Sequence, residues 1–200
     1  QVTSVFQRTF WASFVELQSR LKNFQEEYGK ISEVDHTIRI KKPNWFNIAT
    51  APSRLLDHFG HEIVVVMKIL QQVGVLENPP NFTRETMRDS PEKYCIGGRY
   101  RGVGFSIGCE FTNDTPSMPI TLTFDKNWEE SYLSVDLLTW EFKVNEQPQE
   151  NLPVSDAGET LQNFTNHCIQ MALWKARDYL SILEFSTAVR TPLNLVQTDE

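Results

Sequence analysis

Hydrophobic and polar positions alternate most strictly in the middle of the chain. Val103, Phe105, Ile107, Cys109 and Phe111 fall on one parity, and Gly104, Ser106, Gly108 and Glu110 on the other. A period of two places the first set on one face of a β-strand. Ile120, Leu122 and Phe124 repeat the pattern, with Thr121 and Thr123 opposite. A third run, Tyr132 to Val144, starts with Leu133, Val135 and Leu137 on one parity and continues with Leu138, Trp140, Phe142 and Val144 on the other. A bulge near Leu137 or Leu138 produces such a switch, and so does a strand covered on both faces. Three consecutive antiparallel strands with one apolar face are therefore expected between Tyr94 and Val144.

The flanks have the longer helical period. Phe6, Phe10, Phe14, Leu17, Leu21, Phe24 and Tyr28 recur three or four apart, which predicts an amphipathic helix from about Ser4 to Gly29. Thr3 or Ser4 suits its start and Gly29 its end. His36, Ile38 and Ile40 alternate with Thr37, Arg39 and Lys41, a short edge strand that stops at Lys42-Pro43. A second helix is expected from Ser53 to Gly74, although Gly60 and the β-branched run Ile63 to Val66 also suit a shorter helix followed by a buried strand. Asn145 to Pro153 reads as a polar linker. From Asp156 to Phe185 a wide apolar stripe follows a capping-box spacing, and residues 186–200 read as a tail. The order predicts a single α+β domain over 1–185: an antiparallel sheet of about four strands, packed on one face by long N- and C-terminal helices.

Composition adds modest constraints. At 200 residues and 40% hydrophobic content the chain can build one sizeable core. No apolar run approaches the roughly 18 residues that span a bilayer, so no membrane association is expected. Three cysteines, Cys95, Cys109 and Cys168, are too few for a disulfide framework and favour a reducing, cytoplasmic setting. Charge is uneven: 14 Lys+Arg against 11 Asp+Glu up to residue 101, then 5 against 15. A net of +3 attracts nucleic acid weakly, so the acidic half is read as solvated surface.

Several residue groups can carry chemistry. Asp125, followed by Glu141-Phe142-Lys143 in the next strand run, resembles the PD-(D/E)xK nucleases. That resemblance implies Mg²⁺ held by Asp125 and Glu141, with Lys143 activating water for phosphodiester attack. His58, His61 and Glu62 share a helix face at metal-ligand spacing, with His36 or His167 as a further ligand. Arg39, Lys41, Lys42, Arg99 and Arg101 can form a small basic patch for nucleic acid, flanked by Trp45 and Tyr100. Arg101-Gly102-Val103-Gly104-Phe105 partly matches an RNA-recognition signature, but Val103 and Phe105 lie on the apolar parity of their strand. Those glycines are better suited to a bend. None of these constellations is complete. The sequence alone therefore favours a non-catalytic interaction or assembly domain, without a cofactor, whose partner is another protein or a second copy. The metal-dependent nuclease is the alternative.

Overall fold

The structure is a computed structural model that describes residues 12–44, 46–47, 61–70, 72, 87–90, 92–100, 102–150, 160–162 and 165. In chain order the elements are α1 (Ala12–Tyr28), β1 (Lys30–Lys41), a helical run at 61–70 termed α2, β2 (Met87–Ser90), β3 (Lys93–Tyr100), β4 (Val103–Thr112), β5 (Pro119–Lys126), β6 (Glu129–Asp136), β7 (Phe142–Val144) and β8 (Gln147–Pro148). The strands form one eight-stranded mixed sheet in the order β2-β3-β4-β1-β5-β6-β7-β8.

This order corrects the expectation of about four antiparallel strands. β1 is not a short edge strand. It begins at Lys30, lies at the centre of the sheet, and pairs parallel with β4 and antiparallel with β5. The alternating runs of β4 and β5 are real strands, but they are not partners. Residues 113–118 carry the chain across the end of β1, where Arg39 and Ser117 exchange backbone hydrogen bonds of 2.9 and 3.2 Å. Alternation specifies which face of a strand is buried and says nothing about its neighbour. The bulge between Ile31 and Glu33 then resets parity, so that Ile31 and Val34 are both buried.

The run Tyr132 to Val144 is a hairpin rather than one bulged strand. β6 ends at Asp136, whose Oδ1 accepts from the N–H groups of Leu138 at 2.7 Å and Thr139 at 3.1 Å. Trp140 takes a left-handed φ of 66° and the chain returns as β7, pairing Phe142 with Val135 and Val144 with Leu133. The parity switch is thus a reversal of direction. The expected linker also begins with structure: Asn145 and Glu146, at φ 49° and 65°, make the two-residue turn into β8.

The apolar face of the sheet is covered by α1 and α2. Phe14, Leu17 and Leu21 of α1 are buried, and Phe24 and Tyr28 extend the contact to Phe142 and Phe124 at ring separations of 5.8 and 6.2 Å. Gly29 ends α1 at φ 98°, and its N–H donates to Gln25 O at 3.0 Å. A Cβ there would stand 2.2 Å from the Asp125 carbonyl oxygen, so glycine is needed for both conformation and clearance. In α2, Ile63 to Met67, Ile69 and Leu70 are all buried. Each such side chain contributes about 1.5–3 kcal/mol of burial. That exceeds the few tenths by which β-branching disfavours helix, so the run is helical and not the buried strand that also fitted. The expected C-terminal helix and tail lie outside the described residues apart from helical conformation at 160–162 and 165.

Candidate functional site

β1 brings a histidine into the apolar layer. Val34, His36 and Ile38 point to the helices, and His36 is fully buried between Ile107 of β4 and Ile120 of β5. Its Nε2 lies 2.5 Å from Glu62 Oε2 in α2, and Glu62 is also fully buried. Its Nδ1 lies 2.8 Å from the Pro119 carbonyl oxygen at the start of β5. A carbonyl only accepts, so Nδ1 carries a hydrogen. One further proton then sits between Nε2 and Oε2, on the ring or on the carboxyl. The dyad joins β1, β5 and α2 and has no contact with solvent.

His61, immediately before Glu62, is partly exposed and its Nδ1 is buried. Of the described histidines it is the one with solvent access.

The opposite face of the sheet is polar and lined with small residues. A hollow of about 440 Å³ lies there, bordered by Ser32, Glu33, Cys95, Arg99 and Ser106 over a floor that includes Gly97. Its glycines belong to a strand pair, and no described glycine-rich turn leads from a strand into a helix. The described residues therefore do not form a dinucleotide-phosphate cradle.

The sequence candidates are distributed as follows. Asp125 is in register with Glu130 at one end of β6, and Asp136 at the other end donates its N–H to the Glu141 carbonyl at 2.9 Å. At roughly 3.3 Å per residue, Asp125 and Glu141 stand about 20 Å apart. Glu141 is engaged with Lys143 at 3.1 Å on an exposed edge. These three groups cannot share a cation. The basic residues are also divided: Arg39 pairs with Glu110 at 2.7 Å and Lys42 with Glu92 at 2.6 Å. Arg99 lies beside Gly104, roughly 20 Å along β4 from Glu110. Lys41 is exposed, and Arg101 lies outside the described residues. From the histidine group the structure joins His36 to Glu62. His58 and His167 lie outside the described residues, among which no cluster of three or more metal-ligating side chains occurs. The His36–Glu62 contact has one sequence signal: His36 sits on the apolar parity of its strand, where a polar group requires a partner.

No protein-family model matches the sequence, and neither does any curated protein. Solved structures do. An oxidoreductase from Thermotoga maritima superposes with a TM-score of 0.63 at 10% identity, covering 95% of this chain and 58% of the other. A Gfo/Idh/MocA family oxidoreductase from Vibrio cholerae gives 0.55 at 15% identity, with 92% and 56% covered. The UDP-N-acetylglucosamine 3-dehydrogenase of Acidithiobacillus ferrooxidans gives 0.53 at 11%, with 94% and 56% covered. The chain thus has the fold seen in these oxidoreductases and spans somewhat over half of their length.

This likeness corrects three expectations. A non-catalytic interaction domain and a metal-dependent nuclease both give way to an oxidoreductase fold. The expectation of no cofactor, or of Mg²⁺ alone, gives way as well, because the solved structures that share this fold are oxidoreductases and dehydrogenases. No described helix is long and apolar enough to cross a membrane.

Proposed function

We propose that this chain is the substrate-side domain of an oxidoreductase acting on a hydroxyl group of a small polar molecule. The observation that carries this reading is the superposition on dehydrogenases and oxidoreductases over nine-tenths or more of the chain. A nicotinamide dinucleotide is the hydride acceptor that fits the class. Among the described residues no cradle for it is formed.

His61 is assigned the proton. Oxidation of an alcohol releases the hydroxyl proton, and a group that titrates near neutrality is best suited to take it. His61 is partly exposed, while Glu62 beside it is fixed in the core.

The test is turnover: reduction of NAD(P)⁺ by the protein carrying this chain, over a panel of sugars, sugar nucleotides and cyclic polyols. One or more members of the panel should be oxidised, and His61→Ala should lower kcat by about 10²–10⁴-fold. A protein that oxidises none of the panel, and whose unfolding temperature none of them raises, is not such an enzyme. Full activity in His61→Ala would remove His61 from the mechanism.

A further inference from the structure

The His36–Glu62 dyad is buried and faces no substrate, so any part it plays in chemistry is indirect. We propose that it is a positioning device: it fixes the rotation and height of α2 against the sheet and so sets where the His61 ring stands. The proposal rests on the reading that His61 handles the proton.

The argument is one of directionality. Ile63 to Leu70 hold α2 on the sheet through apolar contacts, which are strong in sum and do not prefer one orientation. Packing of that kind absorbs a small displacement by local rearrangement, at a cost spread over many contacts. A hydrogen bond does not, because its strength falls steeply outside a narrow range of length and angle. Glu62 is tied at 2.5 Å to a ring that is itself fixed at Nδ1 by the Pro119 carbonyl at 2.8 Å. The ring stands on β1, which is paired on both sides. The chain of constraint therefore runs from the sheet centre through His36 to Glu62, and by one peptide bond to His61. Proton transfer needs heavy atoms within about 2.6–3.2 Å, so an ångström of drift in α2 is enough to separate the partners.

Two variants distinguish orientation from charge. Glu62→Gln keeps the shape and can donate its amide N–H to Nε2, so the tie survives without a carboxyl. His36→Phe with Glu62→Met removes both partners together, which avoids stranding a buried charge and keeps the core apolar. The first readout is the imidazole ¹⁵N and ¹³C spectrum of His61 in the isotopically labelled chain. In Glu62→Gln the His61 signals should stay at their wild-type positions. In the double variant they should move and lose their contacts to neighbouring side chains, while the methyl signals of Val103 and Leu133, buried in the sheet away from His36, are unchanged. The second readout is turnover, in which the double variant should lose about 100-fold in kcat with KM little altered, and Glu62→Gln should retain activity.

The proposal is overturned if His61 keeps its wild-type spectrum in the double variant. It is equally overturned if Glu62→Gln disturbs His61 as much as the double variant does, since charge and not orientation would then be what matters. A displaced His61 with undiminished turnover would support the positioning and refute the assignment of the proton to His61, so the two readings fail separately.

Discussion

At the scale of single residues, the structure places side chains in conformations that sequence propensity does not favour. The turn between β5 and β6 holds Asn127 at φ 58° and Trp128 at φ 72°. Left-handed conformation costs a non-glycine residue roughly 1–2 kcal/mol. Trp128 is 95% exposed, so little burial is returned. Trp128→Gly is therefore expected to raise stability by about 0.5–1 kcal/mol, read from urea unfolding, because it creates the favoured turn while losing no core contact. Tyr132 gives a prediction in pH. Its O–H donates to the Glu130 carboxylate, and that hydrogen bond, followed by the negative charge of Glu130, holds its ionisation above the usual phenol value near 10. The folded state binds this proton more tightly than the unfolded chain. Any contribution to stability is thus present below the unfolded value and disappears as pH rises through the folded one. Glu130→Gln should bring the midpoint of Tyr132 ionisation, followed by phenolate absorbance, back toward 10.

At the scale of elements, burial decides against local preference. Ile63 to Val66 would suit a strand, yet the run is helical and all four side chains are buried. The sign of one substitution tests this. Val65→Ala improves helix propensity by a few tenths of a kcal/mol and removes buried methyl groups worth more. A net loss of about 1–3 kcal/mol in unfolding free energy is expected; a gain would show that α2 is not held by packing. The hairpins follow the same logic. The Asp136 carboxylate collects the N–H groups of Leu138 and Thr139 and also that of Met118 at 3.3 Å, so one side chain closes a turn and ties it to the start of β5. Lys126 does similar work for α1, donating from Nζ to the Glu27 carbonyl at 2.8 Å and the Glu26 carbonyl at 3.2 Å at the end of the helix.

At the scale of the whole molecule, the sheet is built outward from β1. Its ladder with β4 is the longest among the described strands and β5 pairs on its other side, while β7 and β8 share only a short pairing at an edge. Hydrogen exchange should reflect this, with the amides of β1, β4 and β5 protected longest and those of β7 and β8 exchanging early. Equal protection across the sheet would contradict a central strand that organises the rest. The same centrality explains the dyad: a group on β1 is held by both neighbours, and so the middle of the sheet is the most rigid place from which to anchor a helix.

What the sequence determined by itself was the sidedness of its strands. Val103 to Phe111, Ile120 to Phe124 and Leu133 to Leu137 are buried on the parity their alternation specifies, since a period of two is a property of a single strand. The neighbour of each strand was not determined in that way. β1 separates β4 from β5 across some seventy residues of chain, and pairing at that distance depends on how all the apolar faces can be covered at once. The meeting of His36 with Glu62 was decided at the same level. Both residues are visible in the sequence, but their contact exists only where β1 and α2 pack together, because a buried carboxyl and a buried imidazole each require a partner that local spacing cannot supply.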